Sequence, residues 1–92
     1  MKFENKVAII TGSTRGIAEL FAKEGAKVIV VGTKEELGES CVNEIKAAGG
    51  EAIFCKTDVT SDESLDNLVK TALDAYGKID ILVNNAGVGG TT

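Results

Sequence analysis

The sequence predicts an α/β fold built on a parallel β-sheet. Four short apolar runs alternate with segments in which apolar residues recur at helical spacing. Uninterrupted apolar runs are typical of strands buried on both faces, and such strands occur in parallel sheets that are covered by helices. The β-α-β-α-β-α-β alternation therefore favours parallel strands joined by right-handed crossovers, with no segment that reads as a linker.

The strands are predicted from the apolar runs and the turn residues that bound them. The first run, VAII, lies between Lys6 and Thr11, and this strand is expected to cover residues 6–11. The second run, VIVV, ends at Gly32. The third and fourth strands are expected over residues 52–55 and 79–84.

The third helical segment has the clearest period. Its apolar face is formed by Leu65, Leu68, Val69, Ala72, Leu73 and Tyr76. Thr60 and Glu63 form a possible capping box at its start, and Gly77 predicts its end.

The other two helical segments are less regular. The second has an apolar stripe of Leu37, Cys41, Ile45 and Ala48, although Gly38 within it costs about 1 kcal/mol relative to alanine. In the first, over residues 17–24, Leu20, Phe21 and the alanines are expected to face the sheet.

Length and composition limit the possible functions. The 92 residues fit one small domain, and the net charge of -4 gives no basic surface for nucleic acid. No apolar run is long enough for a membrane span and the first residues do not resemble a signal peptide, so the expected compartment is the cytoplasm. Cys41 and Cys55 have no metal-ligand spacing and are expected to be reduced core thiols; no metal site is predicted.

The glycine-containing loop after the first strand is the first candidate binding site. Gly12 allows a sharp turn, and Gly16 allows close approach of a phosphate to backbone N–H groups at a helix start. Ser13 and Thr14 add hydroxyl donors, and Arg15 adds a positive charge. The spacing matches neither G-x-x-x-x-G-K-[ST] nor G-x-G-x-x-G, so on glycines alone a turn that only connects strand and helix remains possible.

Three motifs together narrow the interpretation. "TGSTRGI" after "KVAII", "DVT" at 58–60 and "DILVNNAG" at 80–87 resemble the N-terminal half of the short-chain dehydrogenase/reductase family, including its 3-oxoacyl reductase-like members. The resemblance implies a Rossmann-type doubly wound sheet of four strands in the order 3-2-1-4, with helices on both faces. Residues 1–92 are then a single, partial dinucleotide-binding domain, whose crevice lies at the carboxyl ends of strands one and four.

The resemblance also implies roles for individual residues. Glycines of the first loop shape the cofactor turn, the "DV" pair lies against the adenine, Asn84 braces the sheet, and the residues after it pass beside the ribose and nicotinamide. The cofactor-binding residues expected in this way are Gly12, Ser13, Thr14, Arg15, Gly16, Ile17, Thr33, Lys34, Asp58, Val59, Asn85, Ala86 and Gly87. The alternatives are ordinary: Asp58 as a solvated turn residue, and the asparagines as turn formers after a strand.

The end of the second strand indicates which cofactor is preferred. NAD-preferring sites usually carry an acidic residue there, but this strand ends in Gly32-Thr33-Lys34. Lys34 and Arg15 are both available to a 2′-phosphate, which favours NADP(H) over NAD(H). In the alternative, Lys34 is a solvated residue at a helix start, Arg15 points outward, and Glu35 and Glu36 follow closely.

Two features depart from the family pattern. About four residues are missing after Ile17, so the first helix is expected to be one turn short, its crossover stretched, and Ala18 to lie near the place of the family's third glycine. The family's catalytic Ser and Tyr-x-x-x-Lys are also absent from these residues. Tyr76, the only tyrosine, is followed four positions later by Asp80 and is expected to pack in the core.

Three hypotheses follow for function. The first is the cofactor-binding half of an NADP(H)-dependent oxidoreductase acting on a carbonyl or alcohol substrate, homo-oligomeric when complete. The second is a nucleotide-binding module without catalysis, and the third a relic without cofactor affinity. In each case we expect the isolated chain to be inactive, and weakly stable or self-associating because its fourth strand is an unpaired edge.

Overall fold

A computed structural model describes residues 3–11, 15–58 and 60–84 of the chain. The strands and helices alternate as predicted. In chain order they are β1 (Val7–Thr11), α1 (Arg15–Lys23), β2 (Lys27–Gly32), α2 (Glu35–Ala47), β3 (Glu51–Lys56), α3 (Asp62–Tyr76) and β4 (Ile81–Asn84).

The four strands form one parallel sheet in the order β3-β2-β1-β4, which confirms the predicted topology. β1 lies between β2 and β4, and its five residues are all buried. Because successive side chains of a strand point to opposite faces, β1 and β2 contribute to a core on each side of the sheet.

The two cores account for the apolar runs. On the face covered by α1 and α2, the buried residues are Ala8, Ile10, Ala18, Ala26, Val28, Val30, Cys41, Val42, Ile45 and Ala52. On the face covered by α3, they are Val7, Ile9, Ile29, Val31, Cys55, Leu68 and Ala72. Both cysteines are buried and form no disulfide, as expected.

Helix α1 begins two residues earlier than predicted and ends before Gly25, which has a left-handed φ of 95°. Ala18 is fully buried in the core beneath α1 and α2, so a methyl group is accommodated at that position. The prediction for Leu20 is wrong, since its side chain is 57% exposed. Phe21 does face inward, with its ring centroid 4.7 Å from that of Phe3.

Helix α2 buries a different stripe from the one predicted. Leu37 is exposed and Ala48 lies beyond the helix, while the buried positions are Gly38, Cys41, Val42 and Ile45. A Cβ atom at Gly38 would overlap the ring of Phe54 on β3. The glycine lets the helix approach the sheet at this point, and its propensity cost is offset by that close packing.

Helix α3 is capped by Ser61 and not by Thr60, which corrects the predicted capping box. The Ser61 hydroxyl oxygen accepts a hydrogen bond from the Ser64 N–H at 3.3 Å. The predicted end is confirmed, because Gly77 is left-handed and its N–H donates to the Leu73 carbonyl. The buried stripe is narrower than predicted: Leu68 and Ala72 are buried, whereas Val69 and Leu73 are almost half exposed.

Strand β4 begins at Ile81, two residues later than predicted. The Asp80 carboxylate accepts a hydrogen bond from the Val7 N–H, so the polar side chain occupies a position that a longer strand would fill with a backbone carbonyl. Ile81 and Val83 pack against the core beneath α1 and α2.

Candidate cofactor-binding site

The sheet topology creates a crevice at the carboxyl ends of β1 and β4. From β1 the chain crosses to β2 on one side, and from β3 it returns to β4 on the other, so the strand order reverses at this point. Thr11 at the end of β1 lies opposite Asn84 at the end of β4, and the Thr11 hydroxyl donates to the Val83 carbonyl at 3.3 Å. Ligands of open α/β sheets bind at such switch points.

The start of α1 lies directly after β1, at this edge. Gly12, Ser13 and Thr14 fall outside the described residues, so the turn itself stays a prediction. Helix α1 begins with Arg15 and has no acidic residue in its first turn, so the positive end of its dipole is not neutralised within the helix. Among the described residues outside α1, none lies within 4 Å of a Cβ atom added at Gly16, so none of them blocks this side of the helix start. The side chain of Ile17 packs against the core beneath α1 and α2.

The segment between β2 and α2 forms a second part of the edge. Thr33 and Lys34 are exposed, and Lys34 is the N-cap of α2 without a side-chain capping bond. Glu35 and Glu36 occupy the first helical turn. A positive side chain, the positive end of a helix and two carboxylates therefore lie together at the start of α2.

The end of β3 is joined to the end of β2 through Thr57, a residue that the sequence interpretation missed. The Thr57 N–H donates to the Gly32 carbonyl at 2.9 Å, and its hydroxyl donates to the Cys55 carbonyl at 3.3 Å. Thr57 is only 2% exposed, so the chain leaves β3 in a fixed direction. The only feature of the sequence that could have indicated this role is the position of Thr57 between a predicted strand and Asp58.

Asp58 lies in an exposed turn beyond Thr57. Its Oδ1 atom accepts hydrogen bonds from the hydroxyl of Thr60 at 2.6 Å and from the Thr60 N–H at 2.9 Å. These bonds lower the pKa of the Asp58 carboxyl, so the carboxylate is ionised and held in one orientation at neutral pH. Val59, Asn85, Ala86 and Gly87 lie outside the described residues.

Tyr76 lies at the opposite edge of the sheet from these residues. Its hydroxyl is 3.5 Å from a carboxylate oxygen of Glu51, at the start of β3, and the Lys27 ammonium is 5.9 Å from its ring centroid. Burial and the negative charge of Glu51 raise the pKa of Tyr76 to about 12. A tyrosine that donates protons in catalysis needs a lowered pKa, so Tyr76 is unsuited to that role.

Other kinds of site are not found in the described part of the chain. Among residues 3–11, 15–58 and 60–84, no group of three metal-ligating side chains comes together. Within the same residues, no helix has the length and apolar character needed to cross a membrane.

Comparison with known proteins identifies the family. Residues 6–92 match the family described as short chain dehydrogenase. The chain belongs to this family. It is 47% identical over 92 residues to an uncharacterized oxidoreductase of Listeria innocua, covering 96% of this chain and 37% of that protein.

Solved structures agree with this assignment. A hydroxysteroid dehydrogenase from Escherichia coli superposes with a TM-score of 0.90 at 42% identity, covering 96% of this chain and 39% of that one. A metagenomic short-chain oxidoreductase solved in complex with NADP has a TM-score of 0.89 at 33% identity, covering 97% of this chain and 42% of the other. The chain thus corresponds to an N-terminal portion, well under half the length, of the relatives it matches.

Proposed function

We propose that residues 1–92 form the cofactor-binding half of an NAD(P)(H)-dependent oxidoreductase acting on a carbonyl or alcohol substrate. The observation that carries the proposal is the meeting of the β1 and β4 carboxyl ends at the switch point, beside an α1 start that is open at Gly16. The contacts expected from the motifs support the same edge of the sheet, and in this proposal residues 1–92 form one partial dinucleotide-binding domain.

The described residues suit a dinucleotide in three ways. The start of α1 offers backbone N–H groups and a partial positive charge to a pyrophosphate. Asp58 offers a fixed acceptor where the adenine would lie, and Thr33 offers a hydroxyl near its ribose. A bound nicotinamide cofactor supplies the hydride chemistry, and the role of this chain is to bind and orient it.

NADP(H) is the proposed cofactor in preference to NAD(H). The end of β2 carries no acidic residue before α2, and the exposed Lys34 is not engaged in capping the helix. Arg15 adds a second positive charge at the start of α1. NAD(H) remains the second candidate, because Glu35 and Glu36 follow Lys34 and oppose a 2′-phosphate.

The preference is tested in a form of the protein that extends beyond residue 92, by replacing Arg15 and Lys34 together with alanine. We expect NADPH affinity to fall at least about tenfold relative to NADH affinity, since two charged contacts to the phosphate are lost. An unchanged ratio of the two dissociation constants would show that the assignment to NADP(H) is wrong.

A second candidate function is a nucleotide-binding module, or a relic, without catalysis. Tyr76 is the only tyrosine of these residues and lies away from the site, so no proton donor is identified. We therefore propose that residues 1–92 alone do not reduce carbonyls. The test is NADPH oxidation by the chain, purified at verified mass, with a panel of aldehydes and ketones. Sustained turnover that copurifies with the chain would contradict the proposal.

The remaining proposals concern partners and location. A small carbonyl or alcohol substrate and a homo-oligomeric assembly are proposed for a complete form of the protein. No nucleic acid or membrane partner is proposed, in line with the net charge of -4, and the proposed location is the cytoplasm.

A further inference from the structure

The position of β4 beside β1 is not determined by its apolar pattern. Ile81, Leu82 and Val83 are all apolar, although Ile81 and Val83 face the core beneath α1 and α2 while Leu82 is 64% exposed. A shift of one residue along β1 that places Leu82 opposite Ala8 would exchange these faces without burying a charged side chain. Strands with apolar residues on both faces resist such a shift less than strands that alternate, so another feature must fix the alignment.

Asp80 provides that feature by engaging both backbone polar groups of Val7. Its N–H donates to the Val7 carbonyl at 2.9 Å, and its carboxylate accepts from the Val7 N–H at 2.9 Å. In a parallel sheet, the N–H of a strand residue normally donates to a backbone carbonyl of the neighbouring strand. Here the Asp80 carboxylate takes the place of that carbonyl as the acceptor for the Val7 N–H. Val7 is 1% exposed. Without the Asp80 carboxylate, its N–H would be buried beside the start of β4 with no hydrogen-bond acceptor from that side.

The contact fixes the alignment at the other end of the strand as well. With Asp80 on Val7, Ala8 lies opposite Ile81 and Thr11 lies opposite Asn84. A displacement by one residue would move Asn84 by about 3.3 Å along the sheet. The carboxyl end of β4, which borders the crevice, would then lie at a different height relative to α1.

We propose that Asp80 is a positioning residue for the cofactor site, because its two contacts with Val7 set the alignment of β4 with β1. This inference rests on the proposed function for its consequence, since the site lies at the far end of the same two strands. Asp80 acts through the strand and makes no contact with the cofactor.

The charges around Asp80 favour its ionised form. The Val7 N–H bond lowers the pKa of the Asp80 carboxyl, and the ammonium groups of Lys78, at 3.3 Å, and Lys6 act in the same direction. A carboxyl whose pKa is lower in the folded state stabilises that state above its unfolded pKa, and the effect is lost as the pH falls through the folded value. The contact is therefore complete at neutral pH and weakens in acid.

The test compares three substitutions in a form of the protein that extends beyond residue 92. Asp80→Ala removes the acceptor, Asp80→Asn keeps an acceptor oxygen without the charge, and Lys78→Ala is the matched control that removes only the ion pair. For Asp80→Ala we expect the dissociation constant of NADPH to rise about tenfold, with Asp80→Asn and Lys78→Ala close to the parent at neutral pH. Parent-like affinity in Asp80→Ala, or an equal loss in Asp80→Ala and Asp80→Asn, would overturn the proposal.

Amide hydrogen exchange gives a second readout that does not depend on cofactor. In Asp80→Ala we expect faster exchange confined to β1 and β4, with β2 and β3 amides that pair with each other unchanged. In the parent, protection of the Val7 amide should fall only in acid below the ordinary range for an aspartate carboxyl, because the Val7 N–H bond lowers the pKa of Asp80, and in Asp80→Asn it should not fall with pH. If NADPH does not bind the parent, the proposed function fails, and the exchange pattern alone decides the role of Asp80. Uniform acceleration throughout the sheet would overturn that role.

Discussion

β1 has a different neighbour on each side, and the two are held in place by different means. β2 is buried from Val28 to Val31 and pairs with a strand on both sides, so apolar packing on two faces specifies its position. β4 is four residues long, exposes Leu82, and has Asp80 holding Val7 at its base. The β2 side of the sheet is therefore specified by burial on two faces, whereas the β4 side relies more on polar contacts, chiefly the two that Asp80 makes with Val7.

The largest expected difference between the two sides comes from a matched pair of side chains. Ile29 on β2 and Leu82 on β4 both lie beside Ile9 in the sheet, but Ile29 is 0% exposed and Leu82 is 64% exposed. Ile29→Ala should lower the free energy of unfolding by about 2–5 kcal/mol. Leu82→Ala should change it by less than about 0.5 kcal/mol. Urea unfolding followed by circular dichroism measures both, and equal losses would show that the two sides do not differ.

A smaller effect is expected from two helical glycines. A methyl group at Gly38 would overlap the Phe54 ring, and such overpacking costs about 1–3 kcal/mol. Because alanine gains about 1 kcal/mol of helix propensity, we expect Gly38→Ala to lower the free energy of unfolding by about 1 kcal/mol. Gly16→Ala is the control, since no described residue outside α1 lies within 4 Å of its added Cβ atom, and it should not destabilise the fold. A stabilised Gly38→Ala variant would mean that α2 does not pack closely on β3.

The smallest effect concerns the base of the sheet on the β3 side. Tyr76 is the only tyrosine and the chain has no tryptophan, so absorbance at 295 nm reports its ionisation alone. We expect a midpoint near pH 12 in the folded protein, because burial and Glu51 both disfavour the phenolate. A raised tyrosine pKa means that stability is lost as the pH rises from about 10 towards 12. Glu51→Gln should lower the midpoint, and a midpoint near 10 in the parent would contradict the packing of Tyr76.

The overall fold was predictable because it depends on signals that are local in sequence. Apolar runs gave the strands, and the spacing of Leu68 and Ala72 with Gly77 gave the third helix and its end. The errors arose where a distant residue decides. From sequence alone, Gly38 is only an unfavourable helix residue, and its role depends on the Phe54 ring that packs against it. Asp80 was predicted to be part of an apolar strand, whereas its side chain binds the Val7 N–H.

The places of several candidate residues in the fold were predictable, but the contacts around them were not. Thr33 and Asp58 follow β2 and β3, as the motifs indicated, and Gly16 lies at the start of the helix that follows β1. Thr57 was missed because its role is a hydrogen bond to Gly32, which is 25 positions away in sequence and adjacent only once the strands pair. The roles expected for Gly12 and for residues 85–87 stay predictions.

The central claim, that this edge of the sheet binds a nicotinamide dinucleotide, is tested most directly by the affinity of NADPH for the parent and for Gly16→Asp. The substitution suits the purpose because no described residue outside α1 lies within 4 Å of a Cβ atom at Gly16, and an acidic residue in the first turn stabilises a helix. In a form of the protein that extends beyond residue 92, we expect the parent to bind NADPH, and Gly16→Asp to bind more than about tenfold more weakly with no loss of folding stability. Equal affinity in the two proteins, or no binding by the parent, would contradict the account.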